Sequence, residues 1–192
     1  MATVERERWE GHFAVGHGFR RVDDEETRLL AEHLNPSPGQ RALDVGCGLG
    51  GWAEALAGLG YRTLAVDWAD ASVAAVRDRY ADVEPRITAR RLDFEDDLAV
   101  RDQLPSNSFH LVTMRLVLAF LTDRSGAAER VRRLLVPGGV WVVTTPLAAR
   151  LPDERRPIGM TAQDVADLID GWGQGSWYDL EPGGVRCLVL RK

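Results

Sequence analysis

The sequence predicts an α/β domain in which helices cover both faces of a largely parallel sheet. Short β-branched runs alternate with longer stretches of helical periodicity along most of the chain, and this alternation is typical of doubly wound sheets. A glycine-rich turn at residues 46–51 connects the first predicted strand to the next helix, where such sheets bind their ligands. The length of 192 residues and the apolar content of 45% favour a single core.

The elements follow one another in the order that successive βα units require. Apolar spacing predicts helices at residues 24–34, 52–59, 71–80, 125–135 and 162–170. The strands are predicted at residues 41–45, 63–66, 87–92, 109–114 and 140–144. Asp70 and Thr161 precede helical runs and are predicted to cap them.

Two further strands, at residues 177–180 and 185–190, are separated by the turn-forming sequence Glu181-Pro182-Gly183-Gly184. We expect them to pair as an antiparallel hairpin. Together with the five βα units they use almost everything after residue 39. We therefore expect residues 1–35 to form a helical cap that contributes to the ligand pocket and residues 36–192 to form the ligand-binding domain.

Two segments remain free to contact a substrate. One is the N-terminal segment, which carries Trp9, His12, Phe13, His17 and Arg20, and the other is the loop at residues 146–160. Since both segments are short and the first is partly aromatic, we expect a small, partly apolar molecule as the substrate.

Charge and composition exclude several other classes of protein. The formal charge of −5 gives no basic footprint for nucleic acid. The first ten residues are charged and the longest apolar run is interrupted by Arg115, so we predict neither a signal peptide nor a membrane span. Cys47 and Cys187 are far apart, which favours a reducing compartment, the cytoplasm, and no metal site.

The glycine-rich turn is the strongest functional motif. Gly46, Gly48 and Gly50 let backbone amides approach a ligand at the start of a helix, but this spacing suits a dinucleotide or a nucleoside equally well. Asp44 precedes the turn by two residues. Its carboxylate would repel a pyrophosphate and attract an ammonium group, which favours a ligand without phosphates.

Acidic residues also follow the next two strands. Asp67 lies 21 residues after Gly46, where a carboxylate can accept hydrogen bonds from both ribose hydroxyls. Trp68 could cover an adenine face, while Asp93 and Phe94 could bind an exocyclic amine and form an apolar wall. The three acids are expected along one crevice.

These residues resemble the class I S-adenosylmethionine-dependent methyltransferases. LDVGCGLG is similar to their glycine loop, AVDWA to their ribose-binding acid, RLDF to their adenine contact and LLVPGGVWVVTT to their turn and fifth strand. The resemblance covers about residues 39–190. It implies a Rossmann-like seven-stranded sheet of order 3-2-1-4-5-7-6 with strand 7 antiparallel, and S-adenosylmethionine as the cofactor.

The resemblance also implies a role for each matching residue. Asp44 would lie near the methionyl ammonium and Asp67 at the ribose, while Met114 or Arg115 would line the methionine side and Arg20 would meet the carboxylate. The backbone cradle would be formed by Gly46, Cys47, Gly48 and Gly50, and the adenine site by Trp68, Asp93 and Phe94. The acceptor, a secondary metabolite by the same resemblance, would receive the methyl group in line at an O, N or C atom, leaving S-adenosylhomocysteine.

A general base is optional in this chemistry, because the cofactor already carries a good leaving group. His12 and His17 are the candidates for that role. Two alternatives stay open at this point, a nicotinamide-dependent oxidoreductase and a nucleoside-binding module without catalysis.

Overall fold

The computed structural model describes residues 6–180 and 184–192. Seven strands form one sheet of order β3-β2-β1-β4-β5-β7-β6. They are β1 Arg41–Val45, β2 Arg62–Asp67, β3 Ile87–Arg91, β4 Phe109–Arg115, β5 Leu135–Pro146, β6 Gln174–Asp179 and β7 Val185–Arg191. The first five strands are parallel and β7 runs antiparallel to both of its neighbours. The predicted fold class and strand order are thereby confirmed.

The helices are α1 Arg6–Ala14, α2 Asp24–Leu34, α3 Gly51–Gly58, α4 Asp70–Arg79, α5 Asp97–Gln103, α6 Arg124–Leu134 and α7 Ala162–Asp170. The sequence analysis missed α5. This short helix begins after Asp96, whose carboxylate accepts hydrogen bonds from the backbone N–H groups of Leu98 and Ala99. A carboxylate that accepts hydrogen bonds from the first free N–H groups of a helix is an N-cap.

One of the two predicted caps is confirmed and the other is wrong. Thr161 caps α7 in a reciprocal capping box with Asp164. Asp70, in contrast, is the first residue of α4, and the capping position belongs to Ala69, which has no polar side chain. Glu10 of α1 takes over instead, because its Oε1 accepts a hydrogen bond of 2.8 Å from the Ala71 N–H. A cap supplied 61 residues away cannot be found by local pattern.

The hairpin predicted at the end of the chain is present. β6 and β7 pair antiparallel, with Trp177 opposite Leu188. Of the predicted turn, residues 181–183 lie outside the described residues. β5 begins at Leu135, so the Pro137-Gly138-Gly139 turn lies inside this long strand rather than at the helix end.

Alternate residues of the central strands face two apolar layers, as expected for a sheet covered on both sides. Leu43 packs in the layer that includes Phe109 and Trp141, and its neighbour Ala42 packs with Leu30 and Leu56 of the opposite layer. This arrangement fixes the central strands, and their carboxyl ends therefore form a rigid edge.

No helix among residues 6–180 and 184–192 is long and apolar enough to cross a membrane. Over the same ranges, no group of three or more ligating side chains could hold a metal ion.

Candidate functional site

A cavity of ≈ 840 Å³ opens at the carboxyl ends of β1, β2 and β4. Its volume falls within the roughly 300–1,000 Å³ that small-molecule sites occupy. The lining comes from α1, residues 18–24, the glycine loop, the whole length of α3, and the segments that follow β2, β3 and β4, with Thr27 of α2 and Arg79 of α4. The loop at residues 146–160, predicted as a substrate contact, contributes none of the lining residues.

Asp44 lies at the base of this cavity and is 1% exposed. The strand register places Thr113 beside it, and the Thr113 hydroxyl donates a hydrogen bond of 2.9 Å to Oδ1. The other oxygen, Oδ2, is buried and has no hydrogen-bond partner within the described part of the chain. Burial raises the pKa of Asp44 to about 7, against the opposing effects of Thr113 and Arg115.

A buried carboxylate oxygen without a partner is costly. A cationic ligand group in the cavity would remove that cost and favour the charged form of Asp44. The site therefore fits a ligand with an ammonium group, as the sequence predicted for this position.

The glycine loop takes backbone conformations that side chains disfavour. Gly46, Gly48 and Gly50 have φ angles of +71°, +51° and +82°. A Cβ atom at Gly46 would collide with Val117, and one at Gly48 would lie 3.3 Å from the Phe13 ring. The loop is thus held between the turn after β4 and α1, which leaves its backbone close to the cavity.

Gly50 departs from the predicted cradle. Gly46, Cys47 and Gly48 line the cavity, whereas Gly50 does not. A Cβ atom on Gly50 would lie 2.8 Å from the ring of Tyr80. Its small size serves the packing of the loop against α4.

Asp67 is buried at the end of β2 and lines the cavity. Its Oδ2 accepts a hydrogen bond from Gly48 N–H and its Oδ1 accepts one from Ala69 N–H, each of 3.0 Å. Burial raises its pKa, and these backbone bonds oppose that rise. The predicted ribose-binding acid therefore also fixes the glycine loop, a role that the sequence did not reveal.

The residues predicted around adenine are brought together. Trp68 is half-buried, Asp93 is exposed and Phe94 is buried, and all three line the cavity. Glu95 was missed by the sequence analysis. It lines the same cavity, and its Oε1 accepts hydrogen bonds from the N–H and hydroxyl of Thr122 and from the N–H of Asp123.

Of the two residues predicted to line the site at the end of β4, Arg115 lines the cavity and Met114 does not. Met114 is fully buried in the core and does not line the cavity. Arg115 lines the cavity, but its guanidinium binds Glu26, at 2.8 Å from Nε to Oε1 and 2.9 Å from Nη2 to Oε2. Glu26 was also missed, although it precedes Leu30 and Leu34 by four and eight residues and so occupies the buried face of α2.

Neither predicted catalytic histidine lines the cavity. His12 is half-buried against the rings of Trp9 and Phe19, while His17 is exposed. Arg20 does line the cavity, and its Nη2 lies 3.5 Å from Oδ2 of Asp23. The geometry thus places Arg20 at the cavity, while neither histidine is among the residues that line it.

Four aromatic rings form one part of the cavity lining. The ring of Trp9 lies 5.7 Å from that of Phe13, 4.9 Å from that of Phe19 and 5.5 Å from that of Phe120. All four line the cavity, and Phe19 is 53% exposed. The sequence analysis expected aromatic residues of the N-terminal segment at the pocket. Phe120, which follows β4, was not predicted to contribute.

Comparison with known proteins identifies the family. A family model described as a methyltransferase domain matches residues 43–143, which include Asp44, the glycine loop, Asp67 and Asp93. The chain belongs to the methyltransferase domain family. This confirms the predicted family and, with it, S-adenosylmethionine as the cofactor.

Curated relatives of this methyltransferase domain are considerably longer. A reducing polyketide synthase, Preu2, of Preussia isomera is 28% identical over 85% of the chain and 7% of its own length. A probable S-adenosylmethionine-dependent methyltransferase of Mycolicibacterium smegmatis is 33% identical over 56% of the chain and 38% of its own length. The chain thus spans well under half of the length of these two relatives.

A solved structure, the [4+2]-cyclase SpnF, matches the methyltransferase domain along its whole length. The TM-score is 0.78, with 18% identity over 100% of this chain and 97% of the other. At that identity the similarity concerns the fold alone. Because one fold supports several chemistries, the function must be argued from the site.

Proposed function

We propose that this domain binds S-adenosylmethionine in the cavity and transfers its methyl group to a small, partly apolar acceptor. The observation that carries the proposal is the buried, unpartnered Oδ2 of Asp44 beside the glycine loop. The cofactor would supply an electrophilic methyl group and its own leaving group. The protein has to hold donor and acceptor in line and keep water out.

The lining residues divide between the parts of the cofactor. Asp44 would accept a hydrogen bond from the methionyl ammonium, and the backbone of residues 46–48 would form the cradle. Asp67 would use its remaining lone pairs for the ribose hydroxyls. The adenine side would be formed by Trp68, Asp93 and Phe94.

Arg20 would lie where it can meet the cofactor carboxylate, because it lines the cavity beside Asp23. We assign no cofactor contact to Gly50 or Met114, since neither lines the cavity. For the same reason we assign no catalytic role to His12 or His17.

The aromatic rings of the cavity lining support the acceptor part of the proposal. Trp9, Phe19 and Phe120 offer flat apolar surface to a ligand. The polyketide synthase among the relatives agrees with an acceptor of secondary metabolism. A net charge of −5 gives no support to a nucleic acid acceptor, and the cytoplasm remains the proposed location.

The proposal is tested by turnover. The purified protein is incubated with S-adenosylmethionine and a panel of small phenols, amines and 1,3-dicarbonyl compounds, and the release of S-adenosylhomocysteine is followed. We expect release with at least one acceptor and its loss in Asp44→Asn. Binding without turnover on any acceptor would favour the nucleoside-binding alternative, and binding of NADH instead would favour an oxidoreductase.

A further inference from the structure

A buried ion pair ties the N-terminal segment to the end of β4. Arg115 and Glu26 have side-chain exposures of 9% and 0%. They form two parallel hydrogen bonds, from Nε to Oε1 and from Nη2 to Oε2. Such a forked pair fixes both side chains in orientation as well as in distance.

The same guanidinium also binds the backbone of the cavity wall. Nη1 of Arg115 donates a hydrogen bond of 2.9 Å to the carbonyl oxygen of Arg20, and Nη2 donates one of 3.3 Å to that of Arg21. Four of the five N–H donors of an arginine are therefore engaged within the protein. The guanidinium carbon also lies 5.6 Å from the ring of Trp52.

These contacts explain how residues 18–24 can form a wall. The segment joins α1 to α2, belongs to neither helix for most of its length, and still lines the cavity. Irregular backbone of this kind is expected to be mobile unless its polar groups are bound. Arg115 binds two of its carbonyl groups and, through Glu26, the first turn of the helix that follows.

We propose that Arg115 and Glu26 are positioning residues that hold residues 18–24 against the site, and that Arg115 does not itself bind the cofactor. The inference rests on the proposed function for its effect on the cofactor, but the holding of the segment can be tested without any ligand. We refer to the two side chains as the Arg115–Glu26 latch.

Single substitutions are a poor test, because they leave one charge buried without its partner and can unfold the domain. The double variant Arg115→Met with Glu26→Met removes both charges and keeps apolar volume, which buried ion pairs often tolerate. It also removes the donors to the carbonyl groups of residues 20 and 21. Arg28→Gln is the matched control, since Arg28 lies on α2 and forms exposed ion pairs with Glu25 and Glu32.

The first readout is limited trypsin digestion of the ligand-free protein. Trypsin attacks the carbonyl groups of arginine residues, and the latch binds those of Arg20 and Arg21 directly. The rate of cleavage after these two residues is measured by mass spectrometry. We expect it to be at least about tenfold higher in the double variant than in wild type or Arg28→Gln. Equal rates would overturn the proposal.

The second readout is steady-state kinetics with the acceptor found in the turnover assay. Because saturating cofactor can reorder the wall, we expect KM for S-adenosylmethionine to rise about tenfold while kcat falls less than about threefold. An unchanged KM in a folded double variant would overturn the inference. If wild type itself does not bind S-adenosylmethionine, the proposed function fails, and faster cleavage in the double variant would still support the latch.

Discussion

Asp44 shows at the scale of a residue how burial prepares a group for its ligand. Its carboxylate has one hydrogen bond, from Thr113, and a pKa raised to about 7 by burial. From the position of Asp44 two residues before Gly46, the sequence predicted that its carboxylate would bind an ammonium group. It could not predict the raised pKa, which depends on the layers that cover the strand.

The raised pKa of Asp44 gives a pH dependence for cofactor binding. As the pH falls from 7.5 toward about 5.5, Asp44 takes up a proton and its attraction for the ammonium group is lost, while an α-amino group with a pKa of about 7.7–8.0 stays charged. We expect the affinity for S-adenosylmethionine to fall over this range in calorimetric titrations. Asp44→Asn should bind weakly at every pH, and a wild-type affinity independent of pH would contradict this role.

Asp67 has an observed role in fixing the glycine loop and a proposed role in binding ribose, and two measurements on one variant test them. Asp67→Ala removes the proposed ribose contact and also the bonds to Gly48 and Ala69. We expect cofactor affinity to fall about 10- to 100-fold, as for loss of about 1.5 to 3 kcal/mol. Thermal denaturation of the ligand-free protein should show a lower Tm as well. An unchanged Tm would mean that the loop does not depend on Asp67, and an unchanged affinity would remove Asp67 from the site.

At the scale of elements, the sequence predicted those helix and strand boundaries that depend on residues nearby in the chain. The bounds of β1 and α2 agree with the prediction to the residue, since strand 41–45 is a short segment that follows a Pro- and Gly-containing turn and α2 has its own cap in Asp23. The sequence could not predict what distant residues supply. The cap of α4 comes from Glu10, and the role of Arg115 depends on Glu26, 89 residues earlier.

The long-range cap of α4 makes a prediction about α1. Glu10→Ala leaves the Ala71 N–H without its acceptor, and a lost N-cap costs about 1 kcal/mol. Since Glu10 also attaches α1, which carries Trp9 into the cavity wall, we expect the intrinsic tryptophan emission, to which Trp9 contributes as one of six tryptophans, to change as α1 loosens. Urea denaturation measures the free energy of unfolding.

Glu7→Ala, an exposed position on the same helix, is the control for this experiment. It should leave both the free energy of unfolding and the emission unchanged. Equal stabilities of the Glu10 and Glu7 variants would show that α4 does not need the cap.

At the scale of the molecule, the order of the strands determines where the cavity lies. The sheet brings the ends of β1, β2 and β4 to one edge, and α1 with residues 18–24 covers that edge. The resemblance implied the strand order, and the observed sheet confirms it. For the N-terminal segment, the sequence predicted only that it would cap the pocket. The contacts by which it forms a wall could not be predicted, because they are made with the folded sheet.

Calorimetric titration of the purified protein with S-adenosylmethionine, S-adenosylhomocysteine and NADH tests the central claim most directly. A cavity in which Oδ2 of Asp44 has no hydrogen-bond partner among the described residues should bind the first two at micromolar concentrations and leave the third unbound. Micromolar binding of both sulfur nucleosides would support the proposed cofactor site. Binding of NADH alone would contradict it and would show that the glycine loop serves a dinucleotide.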